Sequence, residues 1–405
     1  MLIQQATLKL LEYCRAEEWA GHDPYDALTS PLARFLPGRA ARIAFTQLVK
    51  RSQFNLRPLL GISKGLNSKG IALAARAVLL LNSEARSSPV PGSAGTYEAG
   101  QLRFEKAALD SDFKHLMRTL LSLRIRNYDE ACWGYNFPWQ SRAFYAPEGM
   151  PNVVCTVFAA NTYLDWYEAS NDERVLEVGV SSARFLMDRI NKTIDGDTFC
   201  FSYTPGDQAC VHNVNLLAAE LLSRVYSVTR SEEFRDAAIS AARFSINRQR
   251  PDGSWPYGEA DNQPWIDNFH TAFILVSLNR IIKFLGQPGW AETLRAGYRF
   301  YIDRFFLADG RPKYYHNKLF PVDTHSAAAA IVALVELGDW ASGSLEMAEK
   351  VMKWMLANMQ DPAGFFYYQR HRFHTAKISY IRWTQAWMLY ACACYLAGVR
   401  VKQNG

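Results

Sequence analysis

The chain has 405 residues, 49% of them hydrophobic, and a formal charge of +6. That length buries a sizeable core, and a mild positive charge spread without a Lys/Arg block gives no argument for a nucleic-acid partner. No run approaches the roughly 20 apolar residues of a membrane-spanning helix, and MLIQQATLKLLEYCRAEEW at the start carries acidic residues rather than the apolar core of a signal peptide. A cytoplasmic protein is therefore expected. The seven cysteines form no CxxC pair, and they read as free core thiols of a reducing compartment.

Residues 1–50 read as a helical preface, with LKLLEYCRAEEW and ARIAFTQLVKR as helices around a Pro/Gly-containing turn. An apolar helix over roughly 67–82 follows, paired with the one near 41–51. The polar, small-residue stretch 83–101 is expected to be a surface loop or lid. From there a three-part unit repeats. Its first part is an amphipathic helix with charges on one face, as in DERVLEVGVSSARFLMDRI and SEEFRDAAISAARFSINRQ. Its second is a turn flanked by aromatics, such as YDEACWGYNFPW, PDGSWPYGEA and DPAGFFYYQRH, where Pro-Asp-Gly and Asp-Gly signal hairpins.

The third part is a helix that is apolar all round but opens on polar residues: NVVCTVFAANTYLDWY, HNVNLLAAELLSRVY, IDNFHTAFILVSLNRI, VDTHSAAAAIVALVEL and IRWTQAWMLYACACYL. Asn152, His212, His270, His325 and Trp383 mark these openings at steps of 60, 58, 55 and 58 residues. A period of that length predicts stacked helical pairs. Six outer–inner pairs closing on themselves give an all-α, (α/α)6 toroid in a single domain over 1–405. The aromatic hairpins and the inner-helix N-termini then share one rim. Those N-termini carry partial positive charge, so the mouth suits an anionic or hydroxyl-rich ligand.

The mouth collects the candidate site residues. His212, His270 and His325 stand at matching points of successive repeats, and histidine is the side chain best poised for proton transfer near neutral pH. Asp267 and Asp323 begin two of the same helices, either as acid–base groups or as N-caps; Glu259 is a further acid. Histidines spread around a wide ring stand too far apart for a trihistidine zinc site, so no metal and no cofactor is expected. Arg142, Arg370 and Arg382 would clamp a carboxylate or phosphate. Tyr135, Asn136, Trp139, Asn152, Trp255, Tyr257, Tyr315, His371 and Trp383 complete the expected binding surface. The chain is aromatic-rich, with 11 Trp, 20 Tyr and 23 Phe, and aromatics placed in connections suit stacking on sugar rings.

Two resemblances attach to these motifs. Gln249, Gly253 and Trp255 match the QxxxGxW turn of triterpene cyclases, with Gln360, Gly364 and Phe366 a weaker copy; the DxDD and DDxxD motifs of that chemistry are absent. FNLRPLLGISKGLNSKGIAL (54–73), CWGYNFPWQSR (132–142), PNVVCTVFAANTYL (151–164) and the block 249–275 resemble bacterial polysaccharide-biosynthesis proteins of the N-acylglucosamine 2-epimerase-like, six-hairpin glycosidase-like group. That resemblance implies an enzyme of exopolysaccharide or capsule biosynthesis acting on a sugar or uronate-containing glycan. The expected reaction is epimerisation or isomerisation, with His270 and His325 as the proton-transfer pair and His212 in support. A sugar or anionic oligosaccharide is the expected ligand, in a homodimer or an assembly with other polysaccharide-biosynthesis proteins. A glycoside hydrolase or polysaccharide lyase on the same fold and a non-catalytic glycan-binding protein are the alternatives, with a terpene cyclase or prenyltransferase behind them.

Overall fold

The computed structural model describes residues 1–86, 104–142 and 144–404. Six helices form an inner ring: α3 (Ser68–Arg86), α5 (Val153–Ser170), α7 (His212–Thr229), α9 (Asn268–Leu285), α11 (Thr324–Glu336) and α13 (Ala386–Asn404). Each packs on the next, and α13 packs back on α3, so the ring closes. Around it stand α1 (Leu2–Ala16), α4 (Lys106–Ser122), α6 (Glu173–Arg189), α8 (Glu232–Ile246), α10 (Ala291–Phe305) and α12 (Ser344–Met359). The fold is an (α/α)6 toroid.

Sequence pattern sorts the two rings. Every residue from Thr324 to Leu334 of α11 is buried, whereas α6 buries a single stripe that includes Val175, Leu176, Ala183, Phe185 and Leu186. An all-round apolar helix needs neighbours on every side; a one-sided one stays half in water. At one end the links are minimal. Helix α5 stops at Asn171 and α7 at Arg230, both in the left-handed conformation (φ 54° and 59°), and the next outer helix starts two residues later. The other end carries long connections. These hold β1 (Trp139–Gln140) with β2 (Tyr145–Ala146), β3 (Lys192–Asp195) with β4 (Thr198–Phe201), and β5 (Val322–Asp323), β6 (Gln369–Arg370) and β7 (Thr375–Ala376) in one antiparallel sheet.

The QxxxGxW turns fasten these connections to the outer ring. Gln249 Nε2 donates to the carbonyls of Gly253 and Thr293, each at 2.9 Å, and Gln360 Nε2 to those of Gly364 and Ala6 at 3.0 and 3.1 Å. Gly253 has φ +89°, and a Cβ there would lie 2.4 Å from the Ala296 carbonyl, so only glycine fits. The second turn corrects one expectation. Through Ala6 it docks on α1, which packs on α12 and α13, so α1 is the outer partner that closes the ring. Helix α2 (Gly38–Arg51), expected in that role, packs on β1 and the short 3₁₀ turn Asp26–Thr29 at the mouth instead. Of the stretch 83–101, the first four residues continue α3 and the remainder lies outside the described residues. No helix among the described residues is long and apolar enough to cross a membrane.

Candidate functional site

The inner N-termini and the long connections enclose a cavity of about 970 Å³. Helix capping decides which side chains enter it. Asn67, Asn152, Asp267 and Asp323 cap their helices, accepting from the backbone N–H of Gly70, Cys155, His270 and Ser326 at 3.3, 2.8, 3.0 and 3.0 Å. The residue two beyond each cap lines the cavity: Lys69, Val154, Phe269 and His325, joined by Asn213 two beyond Val211. His212 stands one residue early. At about 100° per residue it turns away from the ring axis, is fully buried, and places Nε2 2.8 Å from Glu259 Oε1 and Nδ1 3.3 Å from Ser245 Oγ. The expected third histidine is therefore a post between α7 and its neighbouring hairpin, and Glu259 serves that post together with Arg248.

His270 and His325 are brought together, both against Phe269 and Phe273. His270 Nδ1 lies 2.6 Å from Asp267 Oδ2. A carboxylate only accepts, so Nδ1 carries a proton, and in the neutral ring the lone pair is then on Nε2. Asp267 is thus both cap and orienter, and Trp265 Nε1 donates to it at 3.1 Å. His325 is 1% exposed, and neither ring nitrogen has a partner among the described residues. Burial, then the charges of Lys69 and Arg382, hold its pKa well below the usual histidine value, so the ring is neutral. Trp383 stands edge-on at 4.2 Å and covers it.

Two cations sit beside this pair. Lys69 Nζ lies 4.4 Å from the Phe158 ring centre and 5.1 Å from that of Phe273. Burial first, then Arg382, lowers its pKa to about 7. Arg382 is buried and holds Asp23 through both Nε and Nη2, with Tyr135 and Trp383 against its guanidinium. Counting the lining residues by sign gives Lys50, Arg51, Lys69, Arg142, Lys318 and Arg382 against Asp267 alone. The aromatic wall consists of Trp139, Tyr135 stacked on Phe137 at 5.2 Å, and Tyr257 stacked on Trp265 at 4.5 Å, with Tyr315 and His371 at the rim. Arg142 reaches over the Trp265 ring.

Several expected residues stay outside. Asp323 is buried behind Trp383, accepting from its indole and from Gln369 Nε2 at 3.2 and 2.7 Å, and burial raises its pKa. Asn136 bonds Asn67, Asn152 is a cap, and Arg370 bonds Asn358. Trp255 is 2% exposed, its indole donating to the Ser245 carbonyl at 2.8 Å. Lys69 and Asp23 were not anticipated. The spacing that marks His325, two residues past a polar cap, occurs at Asn67–Lys69 as well and carries the signal for the lysine. For Asp23, 359 positions from Arg382, no local pattern exists. Among the described residues no group of three or more His, Cys, Asp or Glu could hold a metal ion.

No protein-family model and no curated sequence matches the chain. Its fold is similar to solved structures. Cellobiose 2-epimerase from Bacillus thermoamylovorans aligns with a TM-score of 0.61 at 10% identity over 82% of this chain and 87% of that one. The unsaturated glucuronyl hydrolase of Bacillus sp. GL1 aligns at 0.61 and 14% identity over 100% and 96%. A glycoside hydrolase family 76 mannosidase from Bacteroides thetaiotaomicron aligns at 0.60 and 12% over 83% and 88%. At such identities the likeness is one of fold, and it is the toroid that the repeat period predicted.

Proposed function

We propose that this protein is a carbohydrate-active enzyme that epimerises or isomerises an anionic sugar by histidine-mediated proton transfer. The observation that carries the reading is the pair His270 and His325 on a shared aromatic floor, one oriented by Asp267, beside Lys69 and Arg382. His270 Nε2 removes a proton from a sugar carbon next to a carbonyl. The electrons move onto the carbonyl oxygen, where Lys69 and Arg382 stabilise the negative charge. Return of a proton to the other face inverts the centre: once Trp383 uncovers it, the neutral His325 ring gives its N–H proton to the carbon while its other nitrogen takes one from the Lys69 ammonium. The six lining cations favour a carboxylate or phosphate on the substrate, and Trp139 and Tyr257 offer flat faces to its ring. The epimerases and glycan hydrolases among the structures of this fold support a sugar substrate, and the sequence resemblance supports a role in building a bacterial surface glycan.

Hydrolysis fits less well. It calls for two carboxyl groups flanking the bond, and Asp267 is the single acid among the described lining residues. Elimination from a uronate is the second reading, favoured by the same cations, because it shares the proton abstraction and needs the substrate carboxylate neutralised. Incubating the protein with uronates and nucleotide sugars in D2O tests both. Deuterium at a ring carbon with inversion supports epimerisation; a new double bond, seen by its ultraviolet absorbance, supports elimination. His270→Ala and His325→Ala should each lower turnover by about 10²–10⁴-fold while the protein stays folded. A His270→Ala protein with full activity overturns the assignment.

A further inference from the structure

The segment 31–66, which contains α2, has no acidic residue and seven basic ones: Arg34, Arg39, Arg42, Lys50, Arg51, Arg57 and Lys64. Two of these are neutralised, Arg57 by Asp26 and Lys64 by Glu17. Arg34, Arg39, Arg42 and Arg51 make no ion pair with a described residue. The same segment exposes large apolar side chains. Leu32, Phe35, Leu48, Phe54 and Leu59 are between 52% and 85% exposed, five of the fourteen such side chains among the described residues. They belong to one lobe, because Ser30 Oγ donates to the Leu60 carbonyl at 2.7 Å and ties the loop before Leu32 to the loop after Leu59. Two more exposed apolar residues stand at the same rim. Tyr145 lies under the Arg42 guanidinium, and Phe373, 88% exposed, sits between the cavity-lining His371 and His374.

We infer that this lobe is a peripheral docking surface for an anionic phospholipid bilayer, holding the cavity mouth beside the lipid headgroups. Isolated exposed apolar residues need no explanation, but five within one 36-residue segment, interspersed with basic residues and free of acidic ones, have the composition of an interfacial element. The apolar side chains enter the headgroup boundary while the arginines meet lipid phosphates. An acidic protein partner would engage the arginines but leave Phe35, Phe54 and Leu59 without an apolar environment to enter unless its surface matched them. A second copy of this chain would bring the same uncompensated cations face to face. The placement is independent of which reaction the cavity carries out.

Co-sedimentation of the full chain with vesicles tests this, one set of phosphatidylcholine and one of phosphatidylcholine with phosphatidylglycerol. Binding is expected only to the second set and should weaken steeply with added salt. Each cation near an anionic surface strengthens partition roughly fivefold, so the triple variant Arg34→Gln, Arg39→Gln, Arg42→Gln should bind about a hundredfold more weakly. The double variant Phe35→Ser, Phe54→Ser should weaken binding at low and high salt alike. All five positions are at or near the surface, and circular dichroism verifies the fold of each variant. Equal sedimentation with both vesicle sets, or undiminished binding by the arginine variant, overturns the inference. So does a dimer in analytical ultracentrifugation that the phenylalanine variant dissolves, which would assign the patch to a second copy.

Discussion

Both ends of the inner ring bury charge, and they treat it differently. At the end away from the mouth, every inner helix contributes to one polar layer: Arg76 from α3, Asp165 and Glu168 from α5, Glu220 and Arg224 from α7, Arg280 from α9, Glu336 from α11 and Tyr390 from α13. Asp165 joins Arg76 at 2.6 Å to Arg224 at 2.7 Å; Arg280 joins Glu220 at 2.7 Å to Glu336; and Arg76 covers the Tyr390 ring. Burial pushes the Asp165 and Glu220 carboxyls up, but their arginines overcome it and hold both low. At the mouth Arg382 is likewise held by Asp23, but burial wins at two groups that no carboxylate among the described residues bonds. Lys69 is pushed down to about 7 and His325 far down. Paired charge closes the barrel at one end; charge and ring nitrogens left without protein partners at the other are what a ligand would complete.

The comparison breaks first at the paired end. Arg280→Met removes the link between Glu220 and Glu336 and leaves a buried carboxylate uncompensated, a change that costs about 3–5 kcal/mol. Urea unfolding measures it, and a midpoint equal to wild type would mean that the layer does not couple the helices. Acid should attack the same end. With their folded pKa values held below the unfolded ones, Asp165 and Glu220 contribute stability that is present above about pH 4 and lost as the pH falls through the folded values.

The mouth should respond with the opposite sign. The Lys69 pKa is about 7 in the fold against 10.5 in the open chain. Between those values the unfolded chain binds the extra proton, so this group makes stability rise with pH across that window. Lys69→Met should therefore stabilise the fold near neutral pH, on the order of 1 kcal/mol, flatten that rise, and lower turnover. A destabilised Lys69→Met protein would place the lysine among the structural charges and erase the distinction between the ends.

How much of this was legible follows from where each signal lives. The repeat of all-round apolar helices is a local pattern that survives at every turn of the chain, so ring closure and the mouth could be read directly. Helix phase is finer. His212 and His325 look equivalent by spacing, yet one stands a single residue past the start of its helix and the other two, and that rotation separates a buried post from a cavity wall. The hairpin PDGSWPYG shows the same limit. Trp255 and Tyr257 are two apart and equally aromatic, but only Tyr257 lines the cavity, because Trp255 packs on Gly297 of α10. The displacement of α2 and the Asp23–Arg382 pair depend on contacts across the whole chain, which no local pattern records.

Asn152 offers the smallest and sharpest check on that division. Its place at the opening of an inner helix suggested a ligand contact, whereas the structure shows a cap bonded to Cys155 N–H and 2% exposed. Asn152→Ala should lower stability by about 1 kcal/mol and leave the affinity for any saccharide that stabilises the wild type unchanged. The two quantities come from one set of thermal melts with and without ligand, because ligand stabilisation adds to the melt independently of the cap. A variant that keeps its melting temperature but loses the ligand-induced rise would move Asn152 into the binding surface. The caps at Asn67, Asp267 and Asp323 would then need the same scrutiny, since all four hold their helices in the same way.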